Sequence, residues 1–208
     1  MKTGADLLVP PGAEGVVLFA HGSGSSRHSP RNKFVAAQLR EARLATLLID
    51  LLTPQEDEVY RTRFDIGLLT ERLAEAARSL AHEPQTKHLP VGLFGASTGA
   101  AAALEVAAAM PEAIRAVVSR GGRPDLASHA ALREVKAPTL LIVGGDDTGV
   151  IELNEQAYAE LGCEKRLEIV PGATHLFEEA GKLEAVARLA AQWFNRHLAG
   201  VPAKGATR

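Results

Sequence analysis

The residues best suited to chemistry lie in Gly95-Ala96-Ser97-Thr98-Gly99, preceded by an apolar run at 91–94 and followed by an alanine-rich stretch. A strand entering and a helix leaving a Gly-x-Ser-x-Gly turn lift the serine hydroxyl clear of its neighbours, as a nucleophile requires. A serine hydroxyl attacks poorly until a neutral imidazole takes its proton. The imidazole in turn needs a carboxylate on its other nitrogen, to fix the tautomer and stabilise the imidazolium. Downstream, Gly144-Gly145-Asp146-Asp147-Thr148-Gly149-Val150 offers two candidate carboxylates, and Gly172-Ala173-Thr174-His175 offers a candidate base. Upstream, the loop His21-Gly22-Ser23-Gly24-Ser25-Ser26 is built of small residues, and Gly22 and Gly24 let a ligand approach the backbone. The N–H of Thr98, with that of Ser23 or Gly24, can hold the oxyanion of a tetrahedral intermediate. His21 reads as a residue that holds its own loop by hydrogen bonds.

For these segments to meet, each must follow a strand at the same end of one sheet. Short, nearly continuous apolar runs occur at 15–20, 45–49, 91–94, 114–118 and 139–143, with a shorter one at 167–170. Such runs suit strands buried on both faces. Helical patterns at 33–42, 65–81, 98–110, 151–161 and 183–198 alternate with them, and Pro111 stops the helix after Ser97. The alternation predicts an α/β fold: a mostly parallel, doubly wound sheet with helices on both faces and right-handed crossovers. Ligands of such sheets bind beyond the carboxyl ends of the strands, where all the candidate loops fall. The interval 118–139 is too short for a lid domain, so an open site is expected. The reading is of one domain over 1–208 with a tail that frays from about 199.

Composition narrows the class. With 208 residues, 46% of them hydrophobic, and a formal net charge of −2, the chain can bury one sizeable core and has no basic excess for nucleic acid or a membrane surface. The single cysteine, Cys163, permits no internal disulfide and fits a reducing compartment. No segment reads as a signal peptide or a membrane span, so a cytoplasmic protein is expected. His82, His88, His129 and His197 show no ligand spacing, and neither a metal nor another cofactor is expected. The 22–27 loop lacks the third glycine of a dinucleotide fingerprint, and no phosphate-binding Gly-x-x-x-x-Gly-Lys-Ser/Thr pattern occurs. Four arginines, Arg27, Arg31, Arg120 and Arg123, should lie at the ligand end of the sheet. Arginines there can grip a carboxylate or phosphate by paired hydrogen bonds. Arg120, at a strand end beside Gly121-Gly122, is the first candidate and Arg123 the second, which raises the prospect of an anionic substrate. The pattern fits a monomer or a homodimer.

The chain resembles the α/β-hydrolase superfamily, and in particular its small lidless members related to dienelactone hydrolase. The resemblance is carried by His21-Gly22, Gly95-Ala96-Ser97-Thr98-Gly99, Gly144-x-x-Asp147-x-x-Val150 and Gly172-Ala173-Thr174-His175, and runs from Gly15 to about Leu198. It implies Ser97 as nucleophile, Asp147 rather than Asp146 as acid, and His175 as base. Dienelactone hydrolase itself carries a cysteine nucleophile where this chain has Ser97. Cys163, far along the chain, does not replace it. The expectation is therefore a serine hydrolase of small esters or thioesters. Alternatives are cleavage of a lactone, peptide or other carbon–heteroatom bond by the same three groups, or a binding protein with little turnover.

Overall fold

The computed structural model describes residues 4–200, which form one seven-stranded sheet with helices on both faces. Its strands are β1 (Ala5–Leu8), β2 (Gly15–Ala20), β3 (Leu44–Ile49), β4 (Val91–Ala96), β5 (Ile114–Arg120), β6 (Thr139–Gly144) and β7 (Lys165–Val170). Their order across the sheet is β1-β3-β2-β4-β5-β6-β7. Every pairing is parallel except that of β1 with β3.

The helices are α1 (Pro30–Glu41), α2 (Pro54–Asp57), α3 (Ile66–Leu80), α4 (Thr98–Ala109), α5 (His129–Glu134), α6 (Thr148–Glu160) and α7 (Lys182–Leu198). Alternation along β2 divides the interior in two. Val16, Leu18 and Ala20 face a cluster containing Leu73 of α3 and the alanines of α4. Val17 and Phe19 face a second cluster with Leu39 of α1 and Trp193 and Phe194 of α7. This is the two-sided burial that the continuous apolar runs require. Among the described residues no helix is long and apolar enough to cross a membrane.

Several elements depart from the sequence expectation. β1 was not foreseen: it is a four-residue antiparallel edge strand with mostly exposed side chains, so it carries no apolar run. Helix α1 starts three residues early, because Ser29 caps Asn32 N–H and Pro30 takes the first helical position. Strand β5 continues through Ser119 to Arg120, which makes Arg120 a strand residue. The interval 118–139 holds only a 3₁₀ turn (Pro124–Leu126) and α5, and no lid domain. The tail expected to fray lies, from residue 201 onward, outside the described residues.

Helix α4 is buried along nearly its whole length, because its residues are small enough to pack against the sheet and α3. A Cβ at Gly99, in its first turn, would collide with the carbonyl oxygen of Ala20 and stand 2.6 Å from that of His21. Both atoms are backbone and cannot swing aside. Gly99→Ala is therefore expected to lower the unfolding free energy by about 2 kcal/mol or more, read by urea denaturation.

Candidate active site

Ser97 sits between β4 and α4 with φ 50° and ψ −121°. A non-glycine residue there costs roughly 1–3 kcal/mol, so the surroundings must hold it. Its N–H donates to the Arg120 carbonyl (3.3 Å), while its carbonyl accepts from Ala100 N–H and Arg123 N–H (both 3.0 Å). Glycine is required on each side. A Cβ at Gly95 would lie 2.5 Å from Ala100 Cα, and one at Gly22 would lie 2.9 Å from Ser97 Cβ.

His175 Nδ1 and Asp147 Oδ2 are 2.7 Å apart. Asp147 occupies the N-cap position of α6 but makes no side-chain cap bond, which leaves its carboxylate for the histidine. Its neighbour Asp146 is exposed, and its N–H donates to the Ala173 carbonyl (3.0 Å). Two glycines let the histidine loop come this close. A Cβ at Gly144 would press on the carbonyls of Ala173 and Thr174. Gly121, with φ 48°, approaches the His175 carbonyl to within 2.9 Å of where its Cβ would be.

Ser97 and His175 line one small cavity of ≈ 180 Å³, together with Gly22 and Ser23 from the loop after β2 and Arg120 from the end of β5. With Nδ1 engaged by Asp147, Nε2 is the ring nitrogen without a hydrogen bond among the described residues. Among the described residues no hydrogen bond closes between His175 and Ser97, a looseness common in sites before substrate arrives. Ser23 N–H and Thr98 N–H make no hydrogen bond among the described residues. Ser23 belongs to the lining, whereas Thr98 lies in the first turn of α4 with its side chain buried. Gly24 turns the loop with φ 66° and does not line the cavity. Larger hollows lie elsewhere, ≈ 410 Å³ between β1 and α3 and ≈ 760 Å³ beside Tyr60 and Phe64, but neither contains a nucleophile and base.

The four arginines separate. Arg27 pairs with Asp50 and Asp6, away from the lining. Arg123, a substrate-binding candidate from the sequence, is not brought to the cavity. Its guanidinium is held at both ends by Asp125 (Nε and Nη2, each 2.8 Å), and it serves the site through its N–H bond to Ser97. Arg31 and Arg120 both line the cavity. Arg120 is only 7% exposed, and its Nε and Nη1 are buried without a hydrogen-bond partner among the described residues. Burial, and then the charge of Arg31, lower its pKa to about 10, so it stays charged at neutral pH. Ser25, Ser29 and Leu176 also line the cavity without having been singled out in the sequence. Nothing local in the sequence shows that α1 begins beside Ser97.

Comparison with known proteins agrees with this fold. A profile described as the dienelactone hydrolase family matches residues 36–199. A crystal structure described as a dienelactone hydrolase from Anabaena variabilis is 61% identical, with a TM-score of 0.91, over 95% of this chain and 93% of its own. A Xanthomonas campestris protein, described as an α/β serine hydrolase without a lid, shares the fold at 21% identity and a TM-score of 0.74, over 95% of this chain and 90% of its own. A Mycobacterium tuberculosis protein, provisionally named a phosphoribosyl transferase, is 60% identical over 195 residues, 93% of this chain. The chain spans 44% of that relative's length, less than half.

His21 anchors the loop that carries Ser23. Its Nε2 accepts the Leu51 N–H (2.9 Å) and its Nδ1 lies 2.9 Å from the Gly22 carbonyl. Burial lowers its pKa below the ordinary 6.5, because the charged ring would lose its hydration there, a loss that the Gly22 carbonyl and the charges of Asp50 and Asp57 only partly offset. The unfolded chain therefore binds this proton more readily. The stabilisation is complete above the unfolded pKa and is lost as pH falls from about 6.5 toward the lower folded value. Urea unfolding from pH 8 to pH 5 should show this slope, and His21→Gln should flatten it.

Proposed function

The chain belongs to the dienelactone hydrolase family, and from that premise we propose that it is a serine hydrolase of carboxylesterase type. It cleaves small esters or thioesters through an acyl-enzyme on Ser97. The observation that carries this reading is the 2.7 Å contact of Asp147 with His175 at the cavity that holds Ser97 on its strained turn.

In this reading His175 Nε2 takes the hydroxyl proton as Ser97 Oγ attacks the carbonyl carbon. The imidazolium formed is stabilised by Asp147, and the oxyanion is held by the N–H groups of Ser23 and Thr98. The tetrahedral intermediate collapses as the imidazolium gives its proton to the departing alkoxide or thiolate. A water molecule, deprotonated by the same nitrogen, then attacks the acyl carbon, and the acid leaves as the proton returns to Ser97. The small cavity and the absence of a lid domain favour short substrates. With Ser97 where dienelactone hydrolase carries cysteine, the first step passes through an alkoxide-like oxygen with a high pKa. It therefore depends on the histidine more than a thiolate would.

Lactones and peptides present the same electrophilic carbon, and cleavage of those bonds is the alternative within this chemistry. The phosphoribosyl transferase name belongs to a protein of which this chain covers less than half. The cavity residues support acyl transfer to water.

Ser97→Ala is expected to reduce p-nitrophenyl acetate turnover about a thousandfold or more. Asp147→Asn should cost roughly a hundredfold or more, and Asp146→Asn should stay within about threefold of wild type. An organophosphate should add one phosphoryl group, located on Ser97 by mass spectrometry. Equal slow turnover by wild type and Ser97→Ala would instead identify a binding protein.

A further inference from the structure

The mechanism above makes no use of Arg120, the most costly residue in the cavity. A buried guanidinium without a partner forfeits several kcal/mol of hydration, and native proteins keep such a group only where something compensates it. Nε and Nη1 of Arg120 are buried without a hydrogen-bond partner, and the charged group acting on it most is Arg31, of the same sign. Arg31 reaches Glu178 through Nη1 (2.7 Å), but its Nε is also buried and unpartnered. No Asp or Glu lines the cavity. The missing counter-charge is one that an anionic ligand in the cavity can supply.

The remaining donors describe that ligand. Ser29 accepts the Asn32 N–H, so its own hydroxyl proton is free to donate outward. Ser29 also caps the twelve-residue α1, whose N-terminus, the positive end of its dipole, begins at the cavity. Ser25 adds another hydroxyl from the same wall. The guanidinium of Arg120, that of Arg31 with its Nε still unengaged, two hydroxyls and a helix N-terminus offer more donors than the two oxygens of one carboxylate can use. They suit a tetrahedral dianion with three terminal oxygens. The space is small, ≈ 180 Å³, which suits an anion only a few bonds from the scissile carbonyl.

We propose that Arg120 and Arg31 form a phosphoryl subsite beside Ser97, and that the substrate is an acyl ester of a small phosphorylated molecule. The inference rests on the hydrolase reading for the scissile bond, but the subsite itself can be tested without turnover.

The test titrates wild type, Ser97→Ala, Arg120→Met and Arg31→Gln with inorganic phosphate by calorimetry and thermal melting. Acetate and succinate are run as carboxylate comparators. Phosphate is expected to bind wild type and Ser97→Ala alike and to raise their melting temperature. Binding should weaken at least about tenfold in Arg120→Met and in Arg31→Gln. Without anion, Arg120→Met should melt no lower than wild type, since the change removes an uncompensated charge. A structural arginine would show the opposite.

In turnover, acetyl glycerol phosphate should lose about tenfold or more in kcat/KM through KM in both arginine variants, while p-nitrophenyl acetate stays within about threefold. Three results overturn the proposal: no phosphate binding to wild type, carboxylates binding as tightly as phosphate, or equal losses on the neutral and phosphorylated esters. Should Arg120→Met fail to fold, Arg31→Gln and the wild-type titrations decide the matter. Phosphate binding that persists while Ser97→Ala keeps full esterase activity would refute the serine mechanism and leave the subsite standing.

Discussion

The site depends on one backbone conformation. Ser97 takes a positive φ that an L-residue avoids, and the chain holds it there by crowding. Gly95 admits Ala100, Gly99 admits the end of β2, and Gly22 admits Ser97 itself. Hydrogen bonds from Ala100 and Arg123 to the Ser97 carbonyl, and from Ser97 to Arg120, close the cage. Relaxing any wall would let the turn return to an ordinary conformation and swing the hydroxyl away from the histidine. The strain is thus offset by packing from several separate segments, which places the serine within the cooperative core of the fold.

Sheet order does the rest of the positioning. From β2 through β4, β5 and β6 to β7, the carboxyl ends present in turn the Ser23 loop, Ser97, Arg120, Asp147 and His175. The histidine begins furthest from the serine. Its loop crosses the ends of β6 and β5 because Gly144 and Gly121 leave no side chain in its path. Asp147 reaches it from β6, and Arg120 lies between it and Ser97 on the strand register, where Ala96 pairs with Arg120.

What the sequence discloses follows from the same physics. Strands buried on both faces must be apolar throughout, so β2 to β6 stand out, and the serine, acid and base come in order at their ends. Strand β1 has one partner and exposed side chains, so it leaves almost no pattern. The choice of Asp147 over Asp146 needed either a family spacing or coordinates, since adjacent identical residues differ only in which way each points. Arg120 and Arg123 look alike three positions apart. One is still in the strand and buried, whereas the other has left it and meets Asp125 two residues later. The proximity of Arg31 to Arg120 joins segments 89 positions apart, and no local signal records it.

Helix α4 has a further consequence. Nine of its twelve residues are buried, and most are alanine. A larger side chain at one of the buried positions would press the helix against the sheet that carries Ser97. Room for variation must therefore reside elsewhere, in positions such as Leu176, where the cavity wall is loop and the side chain is exposed. The fold separates a heritable engine, frozen by its own smallness, from a rim free to drift.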